Sequence, residues 1–279
     1  MSGGAHKVSR SMKTSTIHQL NEINKEFYNS MAQSFSQTRQ APWAGWSRIL
    51  PPLEQVQNKP IKVLDVGCGN GRFGQFLTAN SDRQIEYTGT DNSRKLLKIA
   101  RDKNPNTAGK TFTFIYQDLI EELLADQVFA QGNDRYDLIV LFGVLHHIPS
   151  FELRQKLLSI LTNLLNPQGL LVFAVWRFGE LGRFKNKLDN PKDYNIDPSE
   201  LESGDYLVDW RNTTARQTAP TIDKKSFPVR YSHAVSNQEI KKLTLNLPPI
   251  VDSFLADGKD NQTNQYFIFR QSHNLVDLS

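Results

Sequence analysis

The chain has 279 residues and a mass of 31.8 kDa, with 38% apolar and 22% charged residues, which suffices for one large core and excludes a chain disordered throughout. No run approaches the roughly 18 uncharged apolar residues of a bilayer span. The N-terminal residues lack the apolar centre of a signal peptide, and the lone Cys68 permits neither an intramolecular disulfide nor a cysteine zinc cage, so a soluble, cytoplasmic protein is expected.

Residues 1–16 read as a disordered N-terminal tail, Gly/Ser-rich before Met12, and 17–279 as a single domain. Leu20, Ile23, Phe27, Met31 and Phe35 recur at helical spacing, and Pro42 with Pro51 and Pro52 brackets a short helix carrying Trp43, Trp46 and Ile49; 17–60 is thus a helical lead-in. From residue 61 the pattern alternates. Strands are expected over 61–66, 85–90, 111–117, 136–142 and 170–176, helices over 72–79, 93–101 and 151–165, and a less regular helical stretch over 119–130. Strands apolar on both faces and alternating with helices imply a parallel sheet covered on both sides, so the fold class is α/β.

Residues 177–230 break that rhythm and read as an insertion covering the functional edge of the sheet. Its charges are segregated: Arg177, Arg183, Lys185 and Lys187, an acidic run from Asp189 to Asp209, then Arg211, Arg216, Lys224, Lys225 and Arg230. Either a solvated insertion or a phosphate-facing surface has this pattern, and the net charge of +4 is compatible with a polyanionic partner without establishing one. A last helix over 237–246 and strands over 250–254 and 265–269 return the chain to the sheet.

Ligands of open parallel sheets bind beyond the carboxyl ends of the strands. The first such end reads Asp65-Val66-Gly67-Cys68-Gly69-Asn70-Gly71: the glycines let a ligand lie against the backbone, and Asp65 places a carboxylate where a ligand ammonium can pair. Gly69, Gly71 and Gly74 also spell G-x-G-x-x-G, but a dinucleotide site would need the strand to run on to Cys68 and leaves Asp65 facing a pyrophosphate it repels. The second strand ends at Asp91, where a carboxylate can accept both hydroxyls of a ribose, and the third at Asp118, which can accept from an exocyclic amine such as that of adenine. Each acid alone is as readily a helix cap. Three at successive strand ends describe a nucleoside with an amino-acid tail.

This constellation resembles the class I S-adenosylmethionine-dependent methyltransferases over about Phe27 to Arg270, with further matching pieces in Leu141-Phe142-Gly143-Val144-Leu145-His146-His147 and in Asn166-Pro167-Gln168-Gly169. The resemblance implies a Rossmann-like, seven-stranded, mainly parallel sheet, S-adenosyl-L-methionine as cofactor, and cofactor contacts from Asp65, Gly67, Gly69, Asp91, Asn92, Asp118, Leu119 and Phe142. A narrower similarity lies in Phe35-Ser36-Gln37-Thr38-Arg39, Pro42-Trp43, Val175-Trp176, Gly204 to Trp210 and Arg230-Tyr231-Ser232-His233. These resemble, in order, the eukaryotic tRNA methyltransferases that esterify 5-carboxymethyluridine at the wobble position. That family implies Tyr28 and Arg39 at the cofactor, Tyr231 and His233 at the substrate, tRNA rather than DNA as partner, and a small zinc-binding activator subunit; no bound metal is expected in this chain.

A carboxylate acceptor is ionised at pH 7 and needs in-line placement rather than a general base. Arg230 can fork onto such a carboxylate, or form an ordinary ion pair with the acidic run. His146 and His147 follow the fourth strand, where His146 can act as base or orienting donor, or simply hydrogen-bond the loop. Trp43, Trp46, Trp176 and Trp210 are candidates for stacking on a flipped base or for plain core, Trp176 foremost for stacking. The alternation Phe112, Phe114, Tyr116 marks core, or a partner-pairing strand if the third strand is an edge. The rival functions are a methyltransferase acting on a small carboxylate or hydroxyl metabolite, and an inactive cofactor-binding module.

Overall fold

The largely apolar run Ile61–Val66 forms strand β1, an interior strand of a seven-stranded sheet. Its neighbours are β2 (Ile85–Asp91) and β4 (Tyr136–Phe142), both parallel to it, with β3 (Lys110–Tyr116) beyond β2 and β5 (Leu165–Trp176) beyond β4. The sheet order is completed by two antiparallel strands, β10 (Asn264–Arg270) beside β5 and β9 (Ile250–Ala256) at the edge, so the expected α/β class is the one observed. This computed structural model describes residues 11–129, 134–178, 188–209 and 228–272; Trp210 and the cations at 183, 185, 187, 211, 216, 224 and 225 lie outside them.

Side chains of successive strand residues point to opposite faces, and both faces are covered. Leu171, Phe173 and Val175 of β5 join a core with Leu20 of α1 (Thr14–Thr38) and Leu157 and Leu161 of α6 (Phe151–Asn163). Leu170, Val172 and Ala174 join the opposite core with Trp46, with Phe73 of α3 (Arg72–Asn80) and with Leu97 of α4 (Arg94–Lys103). Each such fully buried side chain stabilises by about 1.5–3 kcal/mol. Helix starts are set by side-chain caps: Ser93, Ser150 and Asp118 each accept a backbone N–H, the last at α5 (Leu119–Leu124). Among the described residues no helix is long and apolar enough to cross a membrane.

Three expectations shift. Helix α1 begins at Thr14 and Met12 is buried, so residues 11–16 belong to the fold and not to a tail; residues 1–10 lie outside those described. Helix α5 stops at Leu124, and Asp126 adopts φ 56°, a left-handed conformation that closes the helical stretch early. The insertion is also less irregular than its composition implied. Strands β6 (Leu188–Asp189), β7 (Asp205–Asp209) and β8 (Val229–His233) form a second, antiparallel sheet, and β8 packs against α1. Helix α7 (Asn237–Leu243) leads from it towards β9.

Candidate functional site

Beyond β1 the chain turns through Gly67 (φ 70°) and Gly69 (φ 56°), conformations that cost other residues. A Cβ on Gly67 would lie 2.3 Å from Val144 Cγ2, so this turn also depends on close approach. The Gly69 N–H donates to Asp91 Oδ2 (2.9 Å) and the Ser93 N–H to Asp91 Oδ1 (2.8 Å), which fixes the carboxylate at the end of β2. Burial pushes the Asp91 carboxyl up to about 6 against the pull of those two donors. Asp65 is 2% exposed and accepts from the Tyr87 hydroxyl. Burial, partly offset by that hydrogen bond and reinforced by the Asp91 charge, pushes its carboxyl up to about 7. Among the described residues Asp65 has no ion-pair partner.

Two cavities adjoin above this turn and share Tyr28, Gly67, Gly69 and Phe142 as walls. The smaller, about 130 Å³, is bordered by Asp91, Asn92, Gln117 and Leu119. The Gln117 amide donates to Glu122 Oε2 (2.7 Å); a carboxylate only accepts, so the amide orientation is determined, and its buried carbonyl oxygen has no partner among the described residues. Asp118 corrects an expectation. Its carboxylate caps α5, accepts from Asn21 Nδ2 (3.0 Å) and pairs with Lys25 Nζ (3.0 Å), and it does not border the cavity. Gln117 was missed because only the end of β3, one residue earlier than expected, turns it inward.

The larger cavity, about 340 Å³, is bordered by Asp65, Asn70, Arg39 and Arg72 and by the cluster of His146, Trp176 and Arg230. The Arg39 guanidinium lies 4.0 Å over the Phe35 ring; burial, with further repulsion from Arg230 and Arg72, holds it down to about 10. Arg72, not foreseen, lies near Trp43 and Trp46 (5.7 and 5.5 Å) and donates to the Ala41 carbonyl (2.9 Å). Its signal in the sequence was its place as the first residue after the glycine turn. Trp46 is core, 2% exposed against Phe73 and Phe142, although it also borders the cavity. Trp176 packs against His146 (5.5 Å between centroids), and the Arg230 guanidinium lies 4.9 Å over the Trp176 ring.

His146 is buried, and burial first, then the cost of protonating both its ring and the adjacent His147 ring, then repulsion from the Arg230 charge drive its pKa well below the ordinary value, so it is neutral at pH 7. Its Nδ1 has no partner among the described residues. Asp257, which also borders this cavity, accepts from the Gly45 N–H, Asn264 Nδ2 and the Tyr266 hydroxyl.

Tyr231 and His233, expected at the substrate, border neither cavity. Alternate residues of β8 face opposite ways, so Arg230 borders the cavity while Tyr231 enters the core and donates to Asp205 Oδ1 (2.7 Å). His233 bonds Asp205 through Nδ1 and Glu239 through Nε2, both at 2.7 Å. Two carboxylate partners require both ring nitrogens to donate, so this ring is an imidazolium, and its pKa is raised despite burial. Arg154, 1% exposed, completes the network with Glu202 (2.6 Å) and Glu239 (2.7 Å). Glu202, Asp205 and His233 lie close enough to hold a cation, but a doubly protonated His233 has no lone pair to offer.

A family model described as a methyltransferase domain matches residues 36–211. A tRNA (carboxymethyluridine(34)-5-O)-methyltransferase of Arabidopsis thaliana is 29% identical over 61% of this chain and 37% of its own length. Counterparts of the same name are 31% identical in Mus musculus (58% of this chain, 21% of that protein) and 29% in Saccharomyces cerevisiae (57% and 51%). The chain thus spans between a fifth and a half of these curated relatives. Among solved structures, an S-adenosylmethionine-dependent methyltransferase from Clostridium acetobutylicum aligns with a TM-score of 0.58 at 15% identity, over 88% of this chain and 99% of that one. Another from Methanosarcina mazei aligns with a TM-score of 0.54 at 15% identity, over 80% and 98%. At such identity these structures bear on the fold alone, a seven-stranded sheet of the same Rossmann-like kind.

Proposed function

The chain belongs to the methyltransferase domain family, and on that premise we propose that it uses S-adenosyl-L-methionine to methylate the carboxylate of a 5-carboxymethyluridine at the tRNA wobble position. The cofactor fits what the residues offer. A buried carboxylate without a cation at Asp65, an acceptor pair at Asp91, an unpartnered carbonyl at Gln117 and the glycine turn match in turn an ammonium, a ribose diol, an adenine amine and a tail lying against backbone. When bound, its sulfonium supplies an electrophilic methyl group. Gly67, Gly69, Asn92, Leu119 and Phe142 border the cavities that would hold the cofactor, and Arg39 and Arg72, on the wall of the larger one, would pair with its carboxylate.

The observation that carries the acceptor reading is the cluster of Arg230, Trp176 and His146 on the wall of the larger cavity. There Arg230 presents a guanidinium stacked on Trp176, and His146 beside Trp176 is neutral. A fork-shaped cation beside an aromatic face suits a planar base bearing a carboxylate. An ionised acceptor gives up no proton on methylation, so Arg230 aligns it, Trp176 packs its ring, and His146 orients it by hydrogen bonding without moving a proton. A hydroxyl acceptor would need a base, and the lowered pKa of His146 makes its neutral ring a weak one. A small carboxylate metabolite is the second reading, favoured by the modest net charge of +4.

The curated relatives named above support the tRNA reading, and cytoplasmic tRNA modification belongs to it. So does a small zinc-binding activator: among the described residues β3 is an edge strand of the sheet, with Ile115 46% exposed, which suits strand addition by such a subunit. Replacing Arg230 with Ala is expected to leave cofactor affinity within twofold and to lower turnover on a 5-carboxymethyluridine stem-loop by about a hundredfold, the scale of a misplaced acceptor. Calorimetry and labelled-methyl transfer measure the two; parallel loss of both would make Arg230 structural.

A further inference from the structure

Four groups around the wall shared by the two cavities form a single hydrogen-bonded chain. Arg230 Nη1 lies 3.3 Å from the Tyr28 hydroxyl, that hydroxyl lies 2.8 Å from His147 Nε2, and His147 Nδ1 lies 2.7 Å from the Tyr231 carbonyl oxygen. The donors are fixed by chemistry. A carbonyl only accepts, so Nδ1 carries the imidazole proton; in a neutral ring Nε2 is then bare and accepts from Tyr28; the remaining lone pairs of the Tyr28 oxygen accept from Arg230, which only donates. Burial and the Arg230 charge hold His147 down to about 3, which keeps the ring neutral.

The chain is closed on itself, since Arg230 and Tyr231 are neighbours on β8. The Tyr231 N–H donates to Asn24 Oδ1 (2.8 Å), a second tie from β8 to α1. The Tyr28 ring is held edge-on between Phe27 (5.0 Å), Phe35 (5.3 Å) and His147 (5.5 Å), so its hydroxyl has little freedom. An arginine head on a long flexible stem gains a defined direction from such a fixed acceptor on one side and the Trp176 ring on the other.

We infer that Tyr28 and His147 form a positioning pair that sets the direction of the Arg230 guanidinium towards the acceptor, and that the Tyr28 hydroxyl serves the acceptor side and not the cofactor. The inference rests on the acceptor role proposed above for Arg230. It departs from the cofactor contact that family resemblance implied for Tyr28. His147 acts only through Tyr28, as its ring proton is committed to the Tyr231 carbonyl.

The test combines Tyr28→Phe, His147→Ala and Arg230→Lys, singly and in pairs, with a tautomer measurement that requires no acceptor. Tyr28→Phe keeps the ring and is expected to leave the melting temperature and cofactor affinity unchanged while lowering kcat about tenfold. Combined with Arg230→Lys it is expected to add less than a further twofold, because both act on one alignment. A tenfold loss of cofactor affinity in Tyr28→Phe, or losses that multiply in the double variant, would overturn the inference. Nitrogen-15 imidazole spectra of the intact protein are expected to show His147 neutral with Nδ1–H from pH 5 to 9; an Nε2–H tautomer or protonation in that range would overturn it equally. Should the wild-type protein methylate no carboxymethylated RNA, the acceptor reading fails while the spectra still decide the hydrogen-bond chain.

Discussion

Asp65 is a carboxyl pushed up to about 7 by burial, so in the free protein it is half protonated at neutral pH. A ligand ammonium pairs with its ionised form, and below pH 7 a proton must leave as the ligand binds. Affinity for S-adenosyl-L-methionine is therefore expected to rise by up to about tenfold per pH unit from pH 5 towards 7, and to level off before the ligand amine loses its own proton near 8. Calorimetry at several pH values measures this, and Asp65→Asn should flatten the rise; a flat wild-type profile would mean that Asp65 faces no cation. Asp65, Gly67, Gly69 and Asp91 were legible because strand ends dictate where such groups stand. Asp118 was misread because Asn21 and Lys25, which occupy its carboxylate, come from a helix nearly a hundred residues away in the chain. In Arg230-Tyr231-Ser232-His233 the period of two already assigned Arg230 and His233 to opposite faces; the family resemblance, taken as a block, hid that.

The small sheet of β6, β7 and β8 carries Arg230, and it is fastened by the ionic network behind it. Arg154 is buried between Glu202 and Glu239, with His233 bridging Asp205 and Glu239. Removing one member of a buried ion network leaves the others uncompensated, at a cost of about 3–5 kcal/mol. Arg154→Ala is therefore expected to destabilise the fold by that order in urea unfolding; a loss below about 1 kcal/mol, the range of exposed pairs, would mean that the network is solvated. The sign of its pH dependence follows from His233. With a folded-state pKa above the ordinary 6.5, its contribution is fully present below 6.5 and is lost as pH rises through the folded value. None of this element was visible in sequence. Strands β7 and β8 are five residues each and pair across an interval with no periodicity, and Arg154 reads as one more polar residue on α6 until its partners are known.

At the scale of the whole molecule, the parallel sheet brings two adjoining cavities together at the carboxyl ends of β1, β2, β4 and β5. The alternation of strand and helix made that architecture legible, since each apolar run of six or seven residues needed a cover on both faces. The wall carrying Arg230 was less legible, because it depends on which face of β8 meets α1 and the turn after β4. The central claim is transfer of a methyl group to a carboxylate of RNA. The most direct measurement is incubation with methyl-labelled S-adenosyl-L-methionine, tRNA bearing 5-carboxymethyluridine at the wobble position and, separately, small carboxylic acids, followed by mild alkali. Label is expected to enter the modified tRNA and to be released as methanol, because an ester hydrolyses where ether, amine and carbon-bound methyl groups do not. Alkali-stable label, or label entering the small acids and not the tRNA, would contradict it.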